Sequence, residues 1–260
     1  MIDREYLYEN YIVKNKSQRQ IAEELNIGEG TVDYWTRKYG FTFKKSDRDR
    51  LFNLKNIDLT DPIFCYYAGL VATDGYLDTK NHRIALRVCN DGSYDVLCRL
   101  RDYFGYGRNV FSYSRKSGKI AHELNIPNDK IFKELEYMGI CGIKDYRTFS
   151  LDWYYASSSD CKRMFLRGVS DGDGNIRKTS GIFRMAMKSE SFILNLLNVF
   201  NNDLDFKDKY DLKFQTNSTG VKYPALELHK QDSISLYKFI YVGYEDFRFL
   251  DKYNTMLNFR

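Results

Sequence analysis

Two Asp-Gly pairs, Asp74-Gly75 and Asp173-Gly174, recur behind matching segments. YYAGLVATDGYL (66–77) and FLRGVSDGDGNI (165–176) align without a gap, setting Gly69 against Gly168, Asp74 against Asp173 and Gly75 against Gly174. The residues before each pair read as helix, with Gly174 as a left-handed stop. Asp171 and Asp173 therefore fall at the negative end of a helix dipole, where carboxylates are disfavoured. Gly69 and Thr73 lie four apart on one helix face, as do Gly168 and Gly172 on the other. Such small-residue spacing lets two backbones cross closely. If these helices cross about a pseudo-twofold axis, Asp74 meets Asp173, and two crowded carboxylates call for cations. An all-oxygen donor set favours Mg²⁺, completed by water and phosphate oxygens. Other chemistries have little to build on. The three histidines are scattered, and the cysteines at 65, 89, 98, 141 and 161 show no CxxC spacing.

The elements that must hold these acids repeat as well. Arg83–Val88 and Ile182–Met187 alternate as strands, each leading into an apolar-periodic helix, 94–104 and 191–200. Further strands are expected at 107–115 and 119–126, then at 210–217 and 222–230, with closing helices at 128–138 and 232–241. The fold class is α+β, a pseudo-twofold tandem repeat of α-β-β-α-β-β-α units.

The two motifs resemble those of the LAGLIDADG homing endonucleases in their single-chain, two-repeat form, over roughly residues 62–250. Leu166–Gly174 is the better match; Tyr67–Gly75 has Ala72 where the family's earlier acid usually sits. The resemblance implies two four-stranded antiparallel sheets forming saddles over DNA, with active sites beneath the minor groove. It implies metal-dependent hydrolysis of one phosphodiester per strand, leaving short 3′ overhangs. Asp74 and Asp173 carry over as the catalytic, metal-binding pair, with Gly75 and Gly174 at the same metal site, while Asp171 is the less certain acid. The implied cofactor is Mg²⁺, with Mn²⁺ substituting and Ca²⁺ supporting binding without cleavage. A basic residue near the end of the fourth strand helps orient water in that family. Lys230 is the candidate in the second repeat, against the alternative of an ordinary solvated lysine, and the first repeat offers only Asn125 or Asn128 there.

DNA contacts are expected from outward strand residues Arg83, Arg87, Arg184 and Lys188, and from Arg115 and Lys116 in a basic hairpin. Solvated edge charge is the alternative for each taken singly. Near the N-terminus, KSQRQIAEELNIGEGTVDYWTRKYGF reads as helix, turn and helix, with Ser17 and Gln20 as a capping box. This stretch resembles the helix-turn-helix family, which would set Thr31, Asp33, Tyr34 and Arg37 near a major groove. A small helical bundle for protein contacts is the alternative. Residues 1–50 hold ten basic and nine acidic residues, so this module alone would bind DNA weakly. The expected division is a helix-turn-helix domain at 1–45, a basic linker at 46–61, and repeats at 62–155 and 156–260.

A net charge of +5 and 16% aromatic residues, including 22 Tyr, suit a polyanionic partner. No membrane span or secretion signal is visible, which points to a cytoplasmic protein, or one in the organelle or phage-infected cell that holds its target DNA. A monomer acting as a pseudo-dimer is expected, free-standing or intron-encoded in preference to an intein, since no flanking splicing residues appear. The main rival is a non-cleaving DNA-binding regulator or RNA-splicing maturase on the same fold. A protein in which the Asp-Gly pairs are mere turns would not explain their recurrence.

Overall fold

Ser17 opens a helix as its composition suggests: its hydroxyl accepts from Gln20 N while the Gln20 side chain accepts from Ser17 N. The computed structural model describes residues 2–14, 16–41, 57–89, 91–115 and 118–259. It divides into two compact units, Met1–Phe52 and Asn53–Arg260. In the first unit, α1 (Arg4–Leu7) continues as a π-helical stretch (Tyr8–Val13). Helices α2 (Gln18–Glu24) and α3 (Glu29–Lys38) follow. Asn26, between them, takes the left-handed conformation at φ 52°, which asparagine tolerates better than most residues. Leu7, Ile21, Ala22 and Val32 form the small core, with Leu25 and Trp35 packed against it.

The second unit is organised by two helices. α4 (Pro62–Asp74) starts with Pro62 in its first turn, beneath an Asp61 side chain that accepts from Ile63 N and Phe64 N. Ten consecutive residues of α4, Phe64 to Thr73, are buried. At about 1.5–3 kcal/mol for each large apolar side chain, this helix is a central source of stability. Strands β1 (Gly75–Asp78) and β2 (Arg83–Val88), helix α5 (Asp91–Tyr103), strands β3 (Phe111–Ser114) and β4 (Ile120–Pro127) and helix α6 (Asp129–Tyr137) complete the first half. After a 3₁₀ turn (Lys144–Tyr146) and α7 (Leu151–Ala156) comes α8 (Ser159–Gly172), capped by Ser158. Then follow β5 (Asn175–Ile176), β6 (Phe183–Ala186), α9 (Glu190–Asn202), β7 (Lys213–Thr216), β8 (Lys222–Glu227), α10 (Lys230–Ile240) and α11 (Leu250–Leu257). Sequence periodicity did not anticipate α7 or α11.

Both sheets are four-stranded and antiparallel, ordered β1-β2-β4-β3 and β5-β6-β8-β7. Ile84, Leu86, Leu124 and Ile126 are buried on one side of the first; Phe183, Met185 and Leu226 are buried in the second. Period-two alternation sends Arg83, Arg87 and Glu123 to the opposite face of the first, and Arg184 and Glu227 to that of the second.

Two expectations about helix ends are corrected. Neither Gly75 nor Gly174 is left-handed; Gly75 is extended, at φ −76° and ψ 143°. They are needed for space, because each chain turns directly from helix into strand. A Cβ on Gly75 would lie 2.6 Å from Val71 O, and one on Gly174 would abut Ser170 O and lie 2.7 Å from Phe183 Cε2. Lys230 is also not at a strand end: β8 stops at Glu227 and Lys230 begins α10, its Nζ 5.7 Å from the Phe259 ring centroid.

Candidate active site at the ends of the crossing helices

The crossing of α4 and α8 is fixed by glycine. A Cβ on Gly69 would strike Phe165 O and lie 3.0 Å from Gly168 Cα; one on Gly168 would strike Tyr66 O and lie 3.0 Å from Gly69 Cα. The backbones are in contact at this point, with no room for a methyl group. One turn further on, a Cβ on Gly172 would run into Thr73, whose hydroxyl donates back to Gly69 O and Leu70 O at 3.1 Å. Helices held this tightly end together. Asp74 and Asp173 meet there, and Lys144 Nζ reaches both, 3.7 Å from Asp74 Oδ1 and 3.2 Å from Asp173 Oδ2.

The cluster is negative by construction. Burial pushes the Asp74 carboxyl above its ordinary range and the neighbouring Asp173 charge pushes it further, against the pull of Lys144 and Lys252. Each helix end also leaves carbonyls without intrahelical partners. The end of α4 is also met by Arg147, buried at 2% exposure, whose guanidinium donates to Val71 O at 2.6 Å, beside the Gly75 N–H that the same carbonyl accepts, to Gly75 O at 2.9 Å and to Gly142 O at 3.2 Å. Burial lowers this group to about 10, so it stays charged near neutral pH. At α8, Lys252 Nζ donates to Ser170 O, Asp171 O and Gly172 O at 3.0, 2.5 and 2.7 Å. Burial pulls its ammonium below the usual lysine range, with Asp171, Asp74 and Asp173 resisting.

Asp171 has turned away from this cluster. Its carboxylate is buried and accepts from Tyr241 OH at 2.5 Å, Tyr66 OH at 2.9 Å and Phe249 N at 3.0 Å. It ties α8 to α4 and to the C-terminal segment. Sequence reasoning left that residue open and missed Lys144, Arg147 and Lys252 altogether. Lys144 and Arg147 lie after the third helix of the first half, where no hydrophobic period marks them, and Lys252 lies on α11, which was not anticipated.

The donor set suits a hard divalent cation. Among the described residues no group of three or more His, Cys, Asp or Glu side chains gathers, so a bound ion would take two carboxylates and draw its remaining oxygens from water and substrate. The Gly75 carbonyl is engaged by Arg147. Lys144 already holds positive charge where the two acids converge.

Arg83, Arg87, Arg184 and Lys188, expected to touch DNA, each lie beside an acid. Arg87 donates to Glu123 at 2.7 Å and Lys188 to Asp145 at 2.8 Å; Arg184 lies 3.8 Å from Glu227, and Arg83 3.8 Å from Asp78. Arg115 donates to Cys89 Sγ at 3.2 Å, and Lys116 lies outside the described residues. In the first unit Thr31, Tyr34 and Arg37 are exposed along α3, and Asp33 pairs with Arg37 at 3.1 Å. No helix among the described residues is long and apolar enough to cross a membrane.

Two four-stranded antiparallel sheets and a glycine-lined helix crossing match the homing-endonuclease fold. The chain is similar to the homing endonuclease I-WcaI bound to its DNA recognition sequence, with a TM-score of 0.50 and 14% identity over 76% of this chain and 87% of that one. I-DmoI in complex with DNA and Mn aligns with a TM-score of 0.49 and 14% identity, over 72% of this chain and 99% of that one. At such identity the likeness to I-WcaI is one of fold. An 84-residue stretch is 33% identical to a DNA gyrase protein of Mycobacterium malmoense, covering 32% of this chain and only 16% of that protein. No family model matches the chain.

Proposed function

We propose that this chain is a site-specific DNA endonuclease that hydrolyses one phosphodiester in each strand of a duplex, as a monomer, and leaves short 3′ overhangs. The observation that carries this reading is the meeting of Asp74 and Asp173 at the ends of two helices whose contact leaves no space for a side chain. Two crowded carboxylates with a raised Asp74 serve no evident purpose in a protein that only binds. The similarity in fold to I-WcaI, solved on its DNA recognition sequence, supports the same reading.

Asp74 and Asp173 would hold Mg²⁺, with Mn²⁺ able to replace it and Ca²⁺ supporting binding alone. The ion, when bound, supplies an activated water and charge for the phosphoryl and leaving oxygens. The chain's own work is positional. Gly69, Gly168 and Gly172 bring the acids together, and Arg147 and Lys252 neutralise the helix ends beneath them. The sheet cations Arg83, Arg87, Arg184 and Lys188 would exchange their carboxylate partners for DNA, which adds a desolvation cost to binding and makes poor sites less rewarding. The first unit would lengthen the recognised site through Thr31, Asp33, Tyr34 and Arg37 of α3, in the manner of a helix-turn-helix. The protein would act wherever its target DNA lies.

A randomised duplex library tests the proposal: the chain is used to select bound duplexes in Ca²⁺, which are then challenged with Mg²⁺. Double-strand cuts are expected, and Asp173→Asn should keep binding while losing cleavage by about 10³-fold or more, the scale of losing a reaction's main charge-stabilising group. Tight, sequence-selective binding without cutting would instead identify a non-cleaving regulator.

A further inference from the structure

The 3₁₀ turn Lys144–Tyr146 lies between the two halves of the second unit and is anchored to both. On one side Arg147, the next residue, is locked into the carbonyls that end α4. On the other, Asp145 accepts from Lys188, just beyond β6, at 2.8 Å. Lys144 is therefore not a lysine that wandered to the acids on a loose loop. Its Cα is fixed by flanking contacts, and its four-carbon stem delivers the ammonium between Asp74 and Asp173.

The neighbouring cations are committed elsewhere. The two terminal nitrogens of Arg147 donate to Val71 O, Gly75 O and Gly142 O, and Lys252 donates to the last carbonyls of α8. Among the described residues, Lys144 is the cation whose ammonium lies within 4 Å of both carboxylates, with a side chain still 44% exposed. Beside it a cavity of about 380 Å³, lined by Lys144, Asp145, Asp173, Lys188 and Tyr223 among others, gives the ammonium somewhere to go.

We infer that Lys144 is a built-in counter-ion for the Asp74–Asp173 pair in the cation-free chain, displaced when a divalent cation binds there. This rests on the reading of those acids as a cation site. The ammonium stabilises the cation-free protein and competes with the incoming ion, so it lowers the site's affinity for cations in the absence of DNA. Displacement frees its charge beside the acids, where a DNA phosphate would arrive. By linkage, DNA that attracts the ammonium strengthens cation binding, and the cation strengthens DNA binding equally.

Calcium titration of the full chain without DNA, followed by melting temperature, tests this directly. Calcium should stabilise the unsubstituted protein, and Asp173→Asn should remove that effect. Lys144→Met should reach any given calcium-induced shift at a concentration about tenfold lower, the effect of one partly screened charge near two carboxylates. Lys144→Arg, which keeps the charge, should stay close to the unsubstituted protein. Lys144→Gln replaces the methionine variant if that one does not fold. Equal calcium-induced shifts at every calcium concentration for the unsubstituted protein and the neutral variant overturn the counter-ion role while leaving the cation site intact. A protein whose melting ignores calcium, with or without Asp173→Asn, overturns both.

Discussion

The ends of α4 and α8 present one problem with two solutions. Each helix stops beside an acid, at the negative end of its dipole, with carbonyls that need donors. The first half meets this with Arg147, whose charge is spread over a planar fork that satisfies several carbonyls at once. The second uses Lys252, a compact ammonium seated on three successive carbonyls of α8. The earlier motif position differs too. Ala72 is simply packed at 0% exposure, whereas Asp171 gathers Tyr66, Tyr241 and Phe249 into a buried network. What the halves share is what the proposed chemistry needs: close backbones, a terminal acid and a cation beneath it. What differs is how each half ties its own tail down, which places few demands on the reacting groups.

The comparison breaks first where the halves are most alike. Gly69→Ala and Gly168→Ala each drive a methyl into the facing helix backbone, which cannot rotate away as a side chain could. Each should cost about 4 kcal/mol, above the usual range for overpacking because the obstacle is main chain. Urea unfolding of both variants gives the measurement. If one is tolerated and its twin is not, the crossing is not symmetric in energy.

The caps are expected to give unequal losses. Arg147→Met removes a charged donor from Val71 O, Gly75 O and Gly142 O and should cost about 3 kcal/mol. Lys252→Met, at a more exposed position, should cost about 2 kcal/mol. Chemical denaturation ranks them. A larger loss from Lys252→Met would mean that its attraction to Asp171, Asp74 and Asp173 outweighs its hydrogen bonds.

The crossing glycines, the two acids and the paired sheets could be read in advance because repetition exposes them: Gly69 and Gly168 fall at matched places in two copies of one pattern. Arg147 and Lys252 could not. They reach the helix ends from segments that follow different tertiary paths in the two halves, Arg147 just after a 3₁₀ turn and Lys252 on α11, and a charged residue looks the same in sequence whether it is solvated or buried on a carbonyl cage. Lys144 was hidden for the same reason. Lys230 was misplaced because a strand pattern running to residue 230 conceals the point at which β8 gives way to α10. The conformation of Gly174 was misread because a glycine after a helix usually signals a left-handed cap, while here it serves a turn into a strand.

The smallest effect expected concerns the acids themselves and has the opposite sign. Burial, then Asp173, raises the Asp74 carboxyl above its ordinary value of 3.8, so the folded chain binds that proton more tightly than the unfolded chain does. Above the folded value the acid is ionised in both states and the fold bears the full penalty. As pH falls through the folded value towards 3.8 the penalty disappears. Asp74→Asn removes it permanently, so the cation-free variant should be more stable near neutral pH by about 1 kcal/mol, the scale of a like-charge contact in a partly hydrated site. That advantage should fade on acidification, as melting across the acid range would reveal. Asp173→Asn relieves the same mutual repulsion. If the halves share one electrostatic strain, the double variant gains less than the two singles added together, because repulsion between two charges can be removed only once. Additive gains would mean that each acid is penalised by its own burial, and that the two helix ends meet without facing one another electrically.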